Sequence, residues 1–566
     1  MKDKFINALQ SGELVEWVRA LGYQEIEEAT ELLVQEHNAG SIDLIVHFKS
    51  LDTSEFTSRD LMNWARVFQD AIPQIECETD EIFTLTTNLI EASKSSSDHY
   101  LYTGFGNWLE QDDERASDIF KLIVEKNGDS ELTYTCLMVW CQHDQDSALD
   151  GLLSTIDSGH TVNRSAAIRA LKHFDIDTCD RGGEAIVALQ KVTKDGSPAD
   201  ISNAVFTATC LLEKSSVPIP LLVDTLESAC NEPEPEVRRE LIGSWTLRPS
   251  AFPDHLRDEV FKLISTVPGQ DLATMQYVDT ALRKLDIDSD RDVVLSILNS
   301  LLTLENGAHK LKQLDSTSYA LLKVPNALTG WYVVNWLLSG NPFLCRAVFD
   351  LFPPLNRSVI NFSLDEFELT DDEVFYLARK VFAYLLLANE VAVSLLAACL
   401  LKLSGDSQSH LAEAIADFWL RNYPQDIELF DALLKQDKGL TKPVKIIKRL
   451  RKEYLDGLEA GGENSALAPS SNERRIQFEI ESQRHKKMYK DAEKNSVLLS
   501  IMPVQPVLYG NTVISYMHKG SGEPPVRQEI AMQSHSMSTA IPRMDILCPG
   551  WLNYLRFTYR MEERPE

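Results

Sequence analysis

The sequence predicts a mainly α-helical protein: an α-solenoid of repeated helix pairs, closed by a small C-terminal β-rich module. Three observations carry this expectation. Apolar residues recur at helical spacing, as in Ile219, Leu222, Val223 and Leu226 and again in Val237, Leu241 and Trp245. The chain resembles itself at fixed offsets. Strand-like alternation is scarce until the last residues, where VLLSIMPV, VQPVLYGNTVISYMH, RQEIAMQSHS and YLRFTYRME read as strands.

A chain of 566 residues exceeds the size at which one core stops growing, so several domains or a repeat array are expected. The formal charge is −30, and it is unevenly spread. Residues 1–434 hold 34 Lys+Arg against 69 Asp+Glu, a net of −35; from Lys435 onward the counts are 21 and 16, a net of +5. An acidic body repels phosphate backbones, which excludes direct nucleic-acid binding by that part, and attracts basic protein surfaces. The plain alternative is that the charge keeps a large surface soluble.

The N-terminal region, residues 1–112, alternates helical patterns with polar joints. Thr53 and Ser58 are candidate caps ahead of the apolar face Leu61, Trp64, Ala65 and Phe68. Within 113–310 the self-similarity becomes regular. A shift of 70 superimposes Leu149, Leu152, Leu153 and Ile156 on Ile219, Leu222, Val223 and Leu226. A shift of 111 superimposes Ala170–Asp177 on Ala281–Asp288. Both offsets are multiples of about 35–37 residues, the period of helical repeats. Units drawn on this period begin near Asp113, Ser147, Gly183, Val217, Leu256 and Arg291. Pro220 and Pro235 suit first helical turns, where the missing N–H costs nothing.

The stretch Ile219–Trp245, with Pro235, Val237 and Arg238 opening its second helix, resembles a HEAT repeat. The resemblance covers about residues 113–305 and implies an architecture of stacked helix pairs. It brings no catalytic residue and no cofactor with it.

Residues 311–455 continue as irregular helices. The apolar run Val381–Leu403 is interrupted by Asn389 and Glu390, which argues for two buried core helices over a membrane span. Thr370 is a candidate cap. Thr441–Leu458 reads as a basic amphipathic helix. Lys442, Lys445, Arg449 and Lys452 share one face, and Ile446, Ile447, Leu450 and Tyr454 form much of the other. These four cations are the candidate partner-binding residues; docking on the chain's own acidic body is the competing role. Residues 456–473, rich in Gly, Ala and Ser, read as a linker. Residues 474–566 then supply one charged helix and the β-rich module.

Chemistry-bearing motifs are absent. No phosphate-binding loop, dinucleotide fingerprint, zinc-protease helix or nucleophile elbow occurs. The nine cysteines form no C-x-x-C pair, so no metal site is expected, and the thiols indicate a reducing compartment, the cytoplasm. Asp286, Asp288 and Asp290 open like a calcium loop, but Arg291 and Ile297 occupy its diagnostic positions. The leading expectation is a non-catalytic scaffold whose acidic helical body holds a protein partner with a basic surface, with no membrane attachment. One alternative is a regulator that sequesters a nucleic-acid-binding factor and is controlled by linker cleavage, as a bacterial stress or antiviral system would use. The other is an enzyme using His518, His535 and Asp545 in the C-terminal module.

Overall fold

The computed structural model describes the chain apart from residues 1, 50, 52–55, 94–97, 127–128, 159–160, 178, 216–218, 232–233, 325, 353–359, 463–469, 495–511, 518–525, 532–540 and 566. It divides into two compact units. Unit 1 holds residues 1–309 and 313–320, and unit 2 holds 310–312 and 321–566.

Unit 1 begins with α1 (Lys2–Ser11), α2 (Leu14–Ala20), α3 (Ile26–Asn38), α4 (Leu44–Lys49), α5 (Ser58–Ala71), α6 (Thr79–Ser93) and α7 (Asp98–Leu109). It continues with α8 (Arg115–Lys126), α9 (Ser130–His143), α10 (Gln145–Asp157), α11 (Thr161–Ala170), α12 (Gly182–Asp195) and α13 (Pro198–Lys214). Then follow α14 (Pro220–Cys230), α15 (Pro235–Leu247), α16 (Asp254–Ser265), α17 (Leu272–Lys284) and α18 (Arg291–Thr303). The odd-numbered helices from α3 to α17 pack each on the next, forming one layer, and the even-numbered helices pack likewise from α4 to α8 and from α10 to α18. The alternation therefore reaches back into the N-terminal residues. Helices α11, α13, α15 and α17 start at residues 161, 198, 235 and 272, three successive intervals of 37.

Local chemistry fixes where these helices begin. Proline opens α13, α14 and α15. Ser197 caps α13, its hydroxyl accepting from the Asp200 amide. For α5 the cap is Thr57, in a reciprocal pair with Asp60; Ser58 is the first helical residue, and Thr53 lies outside the described residues. Burial follows the expected face, with Leu222, Leu226, Val237, Leu241 and Trp245 all in the core. Polar bonds tie α9 to α11 and α11 to α13. Thr133 donates to Asn163, Ser165 to buried Asp200, and Thr207 to the Ile168 carbonyl. The stack ends in three consecutive left-handed residues, Glu305, Asn306 and Gly307.

Unit 2 is also helical. The division falls within α19 (Asp315–Lys323), and α20 (Asn326–Leu338), α21 (Pro342–Leu351), α22 (Asp371–Tyr384), α23 (Asn389–Lys402), α24 (Gly405–Ile415), α25 (Ile427–Gln436) and α26 (Thr441–Gly462) follow. Thr370 caps α22 in a reciprocal pair with Glu373. The apolar run from Val381 resolves into the buried helices α22 and α23, and Asn389 at the start of α23 donates to buried Asp426. No helix among the described residues is long and apolar enough to cross a membrane.

The C-terminal residues correct the sequence reading: no β-rich module forms among the described residues. The described residues after α27 (Ser471–Lys494) form a single two-stranded hairpin, β1 (Thr512–Met517) against β2 (Val526–Ala531), and the helices α28 (Arg543–Leu547) and α29 (Pro549–Met561). The stretch VLLSIMPV lies outside the described residues. YLRFTYRME, read as a strand from its aromatic and β-branched content, lies mostly in α29. Tertiary packing overrides that local preference: Leu552 is buried, Trp551 meets Phe418, and Tyr559 meets Phe382 and Phe418. The expected linker is also shorter than read. α26 runs through Gly462 and α27 begins at Ser471, while 463–469 lie outside the described residues.

Candidate functional site

The basic helix α26 packs on α24 and α25 through buried Val444 and Ile447, with Ile446, Leu450 and Tyr454 half-buried. That anchoring turns Lys442, Lys445, Arg449 and Lys452 outward, and all four are exposed. Lys442 reaches only the Gly405 carbonyl, at 3.4 Å, and Arg449 reaches Glu453 on its own helix. Among the described residues, no carboxylate from residues 1–434 lies within ion-pair distance of the four. The lysine that does pair with the body is Lys448, 2.6 Å from Asp431.

Unit 1 carries the charge. It holds 25 Lys+Arg against 55 Asp+Glu, a net of −30, whereas unit 2 holds 30 of each. Successive even-layer helices each expose an acid: Asp118, Asp150, Glu184, Asp224, Asp258 and Asp292. Asp118, Asp150 and Glu184 are offset by Lys121 or Arg181. Of the enzymatic alternative, Asp545 sits on α28, and His518 and His535 lie outside the described residues. No group of three His, Cys, Asp or Glu among the described residues is placed to hold a metal ion.

A feature missed by the sequence reading lies where α29 docks in unit 2. Helices α29 and α22 are joined at the C-terminal end of α29 by two adjacent side chains. Arg379 makes a bidentate pair with Glu562. Lys380, with no exposed surface, donates to the carbonyls of Arg560 and Glu562 at 2.9 and 2.8 Å and lies over the Tyr376 ring. A cation there complements the negative end of the helix. Burial holds the Lys380 ammonium below its usual pKa.

Beside this junction opens a cleft of about 830 Å³. Its walls include Phe343, Phe349 and Tyr384 from the body and Arg556, Phe557 and Arg560 from α29. Arg346 on α21 faces the same space. The amino groups of Arg556 and Arg560 converge on one acceptor, the Ala383 carbonyl, at 3.5 and 3.2 Å. The Nε of Arg556 is buried without an acceptor. Burial and the neighbouring Arg560 charge lower the Arg556 pKa. Among the described residues, none of Arg346, Arg556 and Arg560 has a carboxylate within ion-pair distance. Arg564, at the rim, is paired with Glu373. A signal for this site does exist in the sequence: Arg556, Arg560 and Arg564 are four apart, the spacing of one helical face.

No protein-family model matches the chain, and no curated protein is significantly similar to it.

Proposed function

We propose that the chain is a non-catalytic, HEAT-type helical scaffold acting in the cytoplasm, and that unit 1 binds a protein partner with a basic surface. The observation that carries this reading is the confinement of the net charge of −30 to one stack of helix pairs. Acids outnumber cations by 30 in that unit, so the stack offers a net negative surface, partly offset by Lys121, Arg181, Lys191 and Lys262, that speeds encounter with a polycationic protein. The 37-residue interval of the odd-layer helices and the opening Pro235, Val237 and Arg238 support the HEAT-type assignment. The outward cations Lys442, Lys445, Arg449 and Lys452 are assigned to a second contact in the same assembly.

The test is copurification from native cells at graded salt. The expected partner has a strongly basic surface and leaves as ionic strength rises, since the Debye length shrinks from about 10 Å at 0.1 M to about 3 Å at 1 M. Substituting Asp224, Asp258 and Asp292 with asparagine should weaken capture and flatten its salt dependence. Capture of a partner that is indifferent to both salt and these substitutions would refute the electrostatic reading.

A further inference from the structure

We propose that the cleft between α21, α22 and α29 binds a phosphorylated small molecule with an aromatic body, of the nucleoside polyphosphate class. Two guanidiniums of like charge, Arg556 and Arg560, point at one carbonyl without a carboxylate between them. Arg556 is half-buried and Arg560 exposed, and the like charge of Arg560 adds to the cost of holding Arg556 in the wall unless an anion is shared. The buried Arg556 Nε is an unused donor beside that position. Arg346 adds a third guanidinium from the body side of the same cleft.

The charge of the ligand follows from what the rim already neutralises. Glu562 is taken by Arg379 and Arg564 by Glu373. Glu563 is the remaining carboxylate of the lining against Arg346, Arg556 and Arg560, while Asp350 and Asp545 act on Arg346 and Arg556 from outside it, so the lining itself is net cationic and favours an anionic ligand. Planar guanidiniums match phosphate oxygens in bidentate geometry and stack on rings; Arg560 already lies 5.2 Å over Tyr384. Phe343, Phe349 and Phe557 give the other walls an aromatic character suited to a flat base. The volume lies in the range of small-molecule sites, not of an extended polymer track.

Because α29 and the three residues after it supply about half of the lining, occupancy also stabilises the docked tail by linkage. Binding is tested on the purified full chain by calorimetric titration with ATP, GTP, CTP and UTP, and with inorganic triphosphate and adenosine as partial ligands. At least one nucleotide is expected to bind at one per chain, triphosphate about tenfold more weakly, and adenosine more weakly still. Arg346→Glu, at an exposed position, should leave the unliganded melt unchanged and weaken nucleotide binding at least about tenfold. Phe557→Ala should weaken nucleotide binding and spare triphosphate. Hydrogen exchange across residues 552–561 should slow when the nucleotide is present. The proposal fails if no nucleotide binds at about 10 mM, a concentration far above ordinary site affinities. It fails equally if Arg346→Glu binds like the parent, or if a glutamate-rich peptide binds and nucleotides do not.

Discussion

Replacing Lys380 with methionine should release the C-terminal helix α29 without unfolding unit 2. The ammonium makes two hydrogen bonds, to the carbonyls of Arg560 and Glu562 at 2.9 and 2.8 Å. Bonds from a charged donor contribute about 1.5–3 kcal/mol each. Methionine has a similar length and avoids the cost of burying a charge, which offsets part of that loss. The expected net weakening is about 2 kcal/mol, roughly 30-fold in the opening equilibrium of the tail. Leu552, Trp551 and Tyr559 still hold apolar contacts, so docking weakens without vanishing. Hydrogen exchange over residues 549–561 reads this directly, with amides of α23 as an internal control. Faster exchange confined to α29 is the expected result. Unchanged exchange there, or an equal acceleration in α23, would refute the reasoning that Lys380 acts as a local clamp.

Leu226 is fully buried in α14; Leu226→Ala should cost about 2–5 kcal/mol, and Leu226→Asp should abolish the cooperative melt of unit 1. A near-parental melting temperature for the aspartate variant would show that this face is not core. Asp426 is held by burial at a pKa of about 6 while accepting from Trp419 and Asn389. The folded state therefore keeps a proton that the unfolded chain releases near its ordinary 3.8. This contribution is fully present below about pH 4 and is lost as pH rises through 6, a span worth about 3 kcal/mol. Denaturant titration across that window should show Asp426→Asn removing this component of the slope. Neutralising Lys442, Lys445, Arg449 and Lys452 to glutamine should change stability by less than about 0.5 kcal/mol, because exposed cations without body partners hold little folding energy. A larger loss in chemical denaturation would show that they dock inward.

The helices were legible because their residues obey one period. Leu222 and Leu226, then Val237 and Leu241, repeat at helical spacing, and each lies in the core. Pro220 and Pro235 marked true helix starts because a first-turn proline sacrifices no hydrogen bond. The outward face of α26 was legible for the same reason, since spacing alone separates Lys445 and Arg449 from Ile447. What failed was the end of the chain. Tyr554, Phe557 and Tyr559 favour strands in isolation, and nothing local announces the rings of Phe382 and Phe418 that receive this helix. The glycines of the expected linker misled as well, because Gly461 and Gly462 complete a helix whose length is set by the residues before them. The cleft was legible only as the spacing of Arg556 and Arg560, for a different reason. Arg346, Tyr384 and Arg560 are distant in sequence and meet because α29 docks through Leu552, Trp551 and Tyr559 and is held at its end by Arg379 and Lys380.

The charge partition shows how a structural boundary sharpens a sequence pattern. Cut at Lys435, where basic residues become frequent, the chain gives −35 and +5. Cut where the structure divides, it gives −30 and zero. The acids of the first part of unit 2 are thus offset by the cations of α26 and the residues beyond, within one unit. That unit presents no net field at distances beyond a Debye length, so any recognition by it would rest on local groups, such as the proposed contacts of the exposed stripe on α26 and of the three guanidiniums of the cleft. Unit 1 differs in kind. Its surplus of 30 acids has no compensating element of its own, so its field is cumulative along the stack and scales with the number of repeats. A partner held by such a field needs many weak contacts, whereas a ligand in the cleft needs a few strong ones. The two units therefore call for different chemistry of recognition, and salt should discriminate them: sharply at the stack, modestly in the shielded cleft.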